Sequence, residues 1–292
     1  MSDETTSEPS IIDTALGAVQ VERTGSGSPV LVIHGSPGGS DQGTALGGFL
    51  ARAGFEVIAP ARAGYQATPL DIAPTIEQQA ELHLALLDAL GIERVAVLAW
   101  SGGGPSAYVL AVKHPERVSA LVTASAVSQN FNPHIAASEK LMMNTHMGNW
   151  ILNALADHAP KSTIQSLLKA EGDLSHKELK ALTNAAITDE YQRAVALAVI
   201  RAGADHAHRG AGIDHDYENF ATITSLGLES ISVPTLVVWG DADEDVPPAH
   251  SEFAAATIPG ARSHVLARGT HVALWIHPDT TDAQRLLIDF VG

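Results

Sequence analysis

Short apolar runs alternate with amphipathic stretches between residues 17 and 126 of the chain. The apolar runs, rich in β-branched residues, predict strands at 17–25, 28–35, 55–61, 92–100 and 117–126. The stretches between them predict helices at 41–53, 75–91 and 103–114. Because strands that are apolar on both faces are typical of parallel sheets with helices on each side, this part of the chain predicts an α/β sheet.

The pattern changes after residue 127. Helical periodicity without a convincing strand continues over 128–228, and the alternation then resumes. It predicts two further strands and two further helices, the strands at 233–241 and 261–267 and the helices at 248–257 and 279–291. The sequence therefore predicts an α/β fold with a mostly parallel, doubly wound sheet and an all-helical cap inserted between two of its strands.

The domain assignment follows from this change of pattern. Residues 11–127 and 229–292 form the core with the sheet, 128–228 form the cap, and 1–10 form an acidic, disordered lead. The lead, MSDETTSEPS, is polar and acidic and is unlike a signal or transit peptide. We therefore expect a cytoplasmic protein.

Composition narrows the classes of function. The 292 residues are 45% hydrophobic and 17% charged, which is ordinary for a globular protein. We expect no membrane association, because no stretch has the roughly 18 consecutive apolar residues that a membrane span needs. The formal charge of −16 argues against nucleic-acid binding, since phosphate contacts come from Lys and Arg, and it fits solubility or adaptation to salt. The absence of cysteine excludes disulfides and a cysteine nucleophile.

A glycine-rich stretch, AWSGGGPSA at 99–107, follows the predicted strand 92–100. Its spacing fits the dinucleotide fingerprint G-x-G-x-x-G/A, which needs an acid at the end of the next strand to bind a ribose hydroxyl. No Asp or Glu lies between Glu116 and Glu139, and no Gly-Lys-Ser/Thr follows the glycines. We therefore expect no nucleotide cofactor, which leaves an ordinary glycine turn or a nucleophile held in a tight bend.

Ser101 is the candidate nucleophile. A serine in a G-x-S-x-G turn needs small residues two positions before and after it, and Ala99 and Gly103 occupy those positions. It also needs backbone N–H donors for the oxyanion that develops during attack. We assign these donors to Gly102 and to Ser36, which lies in the loop HGSPGGS after an earlier strand.

A serine nucleophile also needs a base and a carboxylate that orients the base. His271 is the candidate base, in a loop after the last predicted strand. The predicted strand before that one ends in a cluster of candidate acids: Asp241, Asp243, Glu244 and Asp245.

These motifs resemble those of the α/β-hydrolase superfamily. The resemblance covers residues 28–292, with 128–228 as the helical cap. HGSPGG is similar to the family's oxyanion loop, H-G-x-P-G. ERVAVLAWSGGGPSA resembles its nucleophile strand and turn, with Ala99 in place of the usual glycine.

The acid and the histidine have matches in the same family. WGDADEDVP resembles G-x-x-D-x-x-V-P, which selects Asp243 over Asp241 and Asp245. GTH resembles the histidine loop, with Thr270 where glycine is commoner. The order of serine, acid and histidine along the chain is also the family's order.

The resemblance implies a cofactor-free serine hydrolase that cleaves a carboxylic ester or related acyl bond of a small molecule through an acyl-enzyme. Ser101 is then the nucleophile, His271 the base and Asp243 the orienting acid. The same triad serves lactonases, thioesterases, amidases, carbon–carbon bond hydrolases and perhydrolases or haloperoxidases, and the fold also serves as a non-catalytic ligand-binding protein. The sequence decides neither the substrate nor the oligomeric state.

Other residues have lesser assignments. Trp100 and the cap residues Met142 and Met143 are candidate substrate contacts, although each type is also common in protein cores. Arg62 is assigned a structural role. The stretch DHAHRGAGIDHD at 205–216 gathers histidines and acids, but we interpret it as a solvated polar loop and expect no metal site.

Overall fold

The computed structural model describes residues 8–133 and 145–292. Its strands are β1 Ser10–Thr14, β2 Gly17–Gly25, β3 Ser28–Ile33, β4 Phe55–Pro60, β5 Val95–Trp100, β6 Val118–Ala124, β7 Thr235–Gly240 and β8 Arg262–Leu266. They form one sheet in the order β1-β2-β4-β3-β5-β6-β7-β8. The β1–β2 and β2–β4 pairs are antiparallel and the other pairs are parallel, which confirms the predicted mostly parallel sheet.

The sequence pattern did not predict β1. This strand begins at Ser10, the last residue of the predicted lead. β1 lies at the edge of the sheet, and its Ile11 is 52% exposed, so it has no buried apolar run to reveal it. Hydrogen bonds to β2, from Ser10 opposite Val21 to Thr14 opposite Gly17, hold it in place.

Ten helices accompany the sheet within the described ranges. They are α1 Ser40–Arg52, α2 Ile76–Ala89, α3 Gly104–Lys113, α4 His146–His158, α5 Pro160–Ala170, α6 His176–Thr188, α7 Glu190–Gly203, α8 His206–Thr222, α9 Pro248–Thr257 and α10 Thr280–Val291. The predicted start of α2 is confirmed: Thr75 Oγ1 accepts the N–H of Gln78 at 3.2 Å, and the Gln78 side chain accepts the N–H of Thr75 at 3.0 Å. Among the residues described, no helix is both long enough and apolar enough to cross a membrane.

Neighbouring residues of the central strands pack into two separate apolar clusters. Ile33 and Ala99 belong to one cluster, and Val32 and Trp100 belong to the other. Because successive side chains of a strand point to opposite faces, the two clusters lie on opposite sides of the sheet. Burial on both faces is the reason that the strands read as continuous apolar runs.

The described part of the cap, α4 to α8, is helical as predicted and lies between β6 and β7. The solvated loop expected at 205–216 is wrong, because most of this stretch belongs to α8. Its Gly212 lies against the core, where a Cβ would be 2.4 Å from the ring of Tyr65. Arg209 and Asp216 on the same helix are 5% and 2% exposed. Both form ion pairs inside the fold, so polar composition did not indicate exposure here.

Candidate active site

Ser101 lies at the turn between β5 and α3, at the carboxyl end of a central strand. Its φ is +53°, in the left-handed region that residues with a side chain rarely adopt. A Cβ on Gly103 would lie 2.7 Å from the carbonyl oxygens of Ile33 and His34, so the predicted need for a small residue there is confirmed. Gly104 is equally tight, since a Cβ there would lie 2.7 Å from the chain that follows β6. Close packing on both sides therefore explains a run of glycines after the serine.

Ser36 lies beside Gly102, as expected for two residues that serve one oxyanion. A Cβ built on Gly102 would be 2.2 Å from Ser36 Oγ. The buried Arg62 supports this loop: its Nη2 donates to the carbonyl of Gly35 at 3.0 Å and to Ser36 Oγ at 2.9 Å, and its Nε donates to the carbonyl of His34 at 3.2 Å. The use of the Ser36 and Gly102 N–H groups as oxyanion donors stays a prediction.

A buried ion pair joins the loop that carries Ser36 to the cap. Arg62 Nη1 and Nη2 lie 2.8 and 2.6 Å from the two carboxylate oxygens of Asp216 in α8, and the side chains are 1% and 3% exposed. Tyr65 donates to the same carboxylate at 2.5 Å, and so does Ser36 Oγ. Burial lowers the pKa of Arg62, but the Asp216 carboxylate outweighs this and raises the pKa above its usual value, so the guanidinium stays charged. Sequence reasoning missed Asp216, which lies 154 residues from Arg62.

His271 and Asp243 form a buried hydrogen-bonded pair. Nδ1 of the imidazole lies 2.8 Å from Oδ2 of the carboxylate, and each side chain is 1% exposed. The other oxygen of Asp243 accepts two backbone N–H groups at 3.0 Å, which fixes the carboxylate. Asp241 instead accepts the N–H of Arg268 at 2.5 Å. Asp243 is thus the acid that contacts Nδ1 in this structure.

Trp100 packs against the histidine loop. Its Nε1 donates to the carbonyl of His271 at 3.1 Å, and its ring centroid lies 5.1 Å from that of His271 and 5.6 Å from that of Trp275. Because Trp100 is only 4% exposed, these protein contacts account for most of its surface, and its contact with substrate stays a prediction. Met142 and Met143, the other predicted substrate contacts, lie outside the described residues.

A cap segment that follows α5 also packs on the histidine loop, which sequence reasoning missed. The carbonyl of Glu171 accepts the N–H of His271 at 3.0 Å, and Gly172 forms a β-bridge with Asp243. A Cβ on Gly172 would lie 2.5 Å from Cγ2 of Thr270 and 2.7 Å from the carbonyl oxygen of Ala242. This segment therefore needs glycine to approach the site so closely.

Asp245 brings a second carboxylate to the imidazole. Its Oδ2 lies 3.3 Å from His271 Nε2, although 48% of the Asp245 side chain is exposed. Within the described residues Nε2 has no hydrogen-bond partner, so it is not hydrogen-bonded to Ser101 here. Burial lowers the pKa of His271, but the carboxylates of Asp243 and Asp245 outweigh burial and raise it to about 10.

The comparisons agree with the family that the sequence motifs resemble. The family model described as alpha/beta hydrolase fold matches residues 28–278. The chain therefore belongs to the α/β-hydrolase fold family of enzymes. An alpha/beta hydrolase fold protein from Nakamurella multipartita has a similar structure, with 42% identity, a TM-score of 0.94, and coverage of 97% of this chain and 99% of that one.

Two curated relatives are named as hydrolases. The uncharacterized hydrolase YcgS of Bacillus subtilis is 26% identical over 281 residues, which cover 94% of this chain and 95% of that protein. The 2-hydroxymuconate semialdehyde hydrolase of Pseudomonas putida is 31% identical over 251 residues, which cover 85% of this chain and 82% of that protein. These names agree with a hydrolytic enzyme.

Proposed function

We propose that the chain is a serine hydrolase that cleaves a carboxylic ester of a small molecule through an acyl-enzyme. The observation that carries this proposal is the combination of Ser101 in a left-handed turn with the hydrogen-bonded pair of Asp243 and His271. β5, β7 and β8 are parallel members of one sheet, so the loops that carry these residues follow strand ends at the same edge. A serine hydroxyl, a base and an orienting acid are the three parts that acyl transfer by serine requires.

The mechanism needs His271 in its neutral form. The neutral imidazole carries its proton on Nδ1, and Nε2 accepts the proton of the Ser101 hydroxyl while Oγ attacks the ester carbonyl carbon. Asp243 keeps the other proton on Nδ1 and stabilises the imidazolium that forms. His271 then returns its proton to the leaving alkoxide, which departs as the alcohol.

Two further groups of interactions complete the cycle. The N–H groups of Ser36 and Gly102 bind the oxyanion, and each contributes about 3 kcal/mol if it resembles other oxyanion donors. Water, deprotonated by His271, then attacks the acyl carbon. Collapse of this second oxyanion breaks the bond to Ser101, which regains a proton and releases the carboxylic acid.

The charges around the site favour a substrate without a carboxylate near the imidazole. The charges that act on His271 include Asp243, Asp245 and Glu171, all acids. Two arginines contact the oxyanion loop, and both are neutralised: Arg62 pairs with Asp216 at 2.6 Å, and Arg209 pairs with Asp41 at 2.8 Å. A neutral ester fits this surrounding better than an anionic substrate does, because like charges repel at short range.

Carbon–carbon bond hydrolysis is the second candidate. The specific observation in its favour is the name of the Pseudomonas putida relative, a 2-hydroxymuconate semialdehyde hydrolase, at 31% identity. A serine triad with an oxyanion site is compatible with this reaction as well, so the triad does not discriminate between the two functions.

The experiment that tests the proposal compares both substrate classes on one preparation. Nitrophenyl esters of graded acyl length are assayed beside 2-hydroxymuconate semialdehyde, with Ser101→Ala as the control. We expect ester turnover to fall by roughly 10⁶-fold in Ser101→Ala, the order of magnitude lost when a catalytic serine is removed, while thermal unfolding shows a folded variant. Cleavage of the semialdehyde alone would replace the ester proposal by the second candidate, and ester turnover retained in Ser101→Ala would refute the mechanism.

Labelling with a fluorophosphonate probe separates an active serine from an inert one. We expect the probe to modify the wild type and to leave Ser101→Ala unmodified. His271→Ala should react far more slowly, because the hydroxyl then has no base. If the protein binds esters without turnover and does not react with the probe, it is a non-catalytic ligand-binding protein.

A further inference from the structure

Two carboxylates, those of Glu171 and Asp245, lie close to the imidazole of His271. Glu171, Asp245 and His271 each offer one ligand atom, and these atoms lie within 4.8 Å of one another. Glu171 comes from the cap, whereas Asp245 and His271 come from loops of the core. An imidazole nitrogen with two carboxylate oxygens is a typical ligand set for zinc.

The state of His271 adds an independent observation. The residue is 2% exposed, and Nε2 has no hydrogen-bond partner among the residues that the structure describes. Its Nδ1 is hydrogen-bonded to Asp243 Oδ2 at 2.8 Å. Metal-binding histidines are commonly oriented in this way, because a carboxylate on one ring nitrogen leaves the lone pair of the other directed at the ion.

We propose that Glu171, Asp245 and His271 Nε2 bind a divalent transition-metal ion such as Zn²⁺, and that the bound ion inhibits the hydrolase. In tetrahedral zinc sites with bonds of about 2.1 Å, the ligand atoms lie about 3.4 Å apart. Asp245 Oδ2 already lies 3.3 Å from Nε2. The widest pair, within 4.8 Å here, closes by at most about 1.4 Å, which a side-chain rotation provides.

Two consequences follow from the position of the ion. A metal on Nε2 occupies the lone pair that must accept the proton of Ser101, so hydrolysis stops while the ion is bound. The ion also links Glu171 of the cap to two loops of the core, and it therefore stabilises the folded protein. Inhibition rests on the proposed function, whereas binding and stabilisation do not.

Binding is tested by titrating ZnCl₂ into EDTA-treated, buffer-exchanged protein, with isothermal calorimetry and thermal unfolding as readouts. We expect one ion per chain at this site and a higher unfolding temperature. Glu171→Gln and Asp245→Asn should each weaken that site at least tenfold, because each removes a charged ligand. The matched control is Glu244→Gln, an exposed neighbour outside the ligand cluster, which should bind as the wild type does. The chain has 14 histidines, so the difference between the variants decides the result.

Ser101→Ala and ester turnover separate the two proposals. Ser101 is not a ligand, so Ser101→Ala should bind Zn²⁺ with unchanged affinity even though it is inactive. In the active protein Zn²⁺ should inhibit, EDTA should reverse the inhibition, and Glu171→Gln should resist it at least tenfold. Zinc binding without ester turnover in any variant would reject the ester hydrolase and keep the site. Equal zinc affinity in Glu171→Gln, Asp245→Asn and Glu244→Gln would reject the site whatever the activity.

Discussion

Replacing Asp216 with asparagine measures how much the buried ion pair with Arg62 contributes to the fold. The substitution keeps the shape of the side chain and removes its charge. The carboxylate lies 2.8 and 2.6 Å from the two Nη atoms of Arg62, and it also accepts hydrogen bonds from Tyr65 and Ser36. The guanidinium, whose side chain is 1% exposed, would lose its counter-charge without gaining access to water.

The expected cost is large because the pair is buried. Removing one member of a buried ion pair costs about 3–5 kcal/mol, since the remaining charge is left unpaired. With a urea m-value of about 3 kcal/mol/M, a loss near the middle of that range lowers the unfolding midpoint by about 1.3 M. Because Ser36 shares the carboxylate, we also expect lower ester turnover in Asp216→Asn at urea concentrations where the variant is fully folded.

Urea unfolding followed by circular dichroism and tryptophan fluorescence provides the assay. Asp157→Asn is the matched control, since Asp157 pairs with Arg201 at 2.9 Å while the side chains are 55% and 50% exposed. An exposed pair contributes about 0.2–1 kcal/mol, so its midpoint should move little. If Asp216→Asn moves the midpoint no further than Asp157→Asn does, the reasoning about the buried charge is refuted.

Two other residues give predictions of different kinds. His83 is buried, and burial together with the charge of Arg62 lowers its pKa to about 3. The unfolded chain therefore binds a proton on His83 below about pH 6.5, whereas the folded chain does not. Stability from this residue is therefore lost as the pH falls below its unfolded pKa, and His83→Asn should remove roughly 1.4 kcal/mol of the change between pH 7.5 and 5.5, measured by urea unfolding at both values. An unchanged pH dependence would contradict the assignment. Gly172→Ala places a methyl group 2.5 Å from Thr270, so we expect about 1–3 kcal/mol of destabilisation and lower ester turnover. Wild-type turnover and stability in that variant would show that the cap segment does not constrain the histidine loop.

Part of the candidate site could be read from local sequence. The run of small residues around Ser101 reflects the close approach of the turn to β3, which is a local steric requirement. The loop with Ser36 and the loop with His271 each follow a predicted strand, and parallel strands bring such loops to one edge. Asp243 was selected by resemblance to a family motif, and its hydrogen bond to His271 agrees with that selection.

Other contacts could not be read in this way. Nothing near Arg62 in the sequence indicates Asp216, and nothing near His271 indicates Glu171. The polar stretch at 205–216 favoured a solvated loop, because composition does not show that its charges find buried partners. The strand β1 was missed because it has no buried apolar run to indicate it. Hydrogen bonds to the neighbouring strand β2 stabilise it.

The sequence by itself determined the α/β fold, the helical cap and the positions of a candidate nucleophile and base. Hydrophobic periodicity and side-chain size are properties of neighbouring residues, so the local sequence of each strand, helix and tight turn is enough to predict it. Only the tertiary structure decided which carboxylate pairs with Arg62 and which further carboxylates lie near His271 beside Asp243. Asp216 pairs with Arg62 and Glu171 lies near His271 because the cap packs against the core and joins residues that are far apart along the chain. Asp245 lies near His271 because the loops after two neighbouring strands meet at one edge of the sheet. Charge pairing depends on distance in space, and the path of the chain sets that distance.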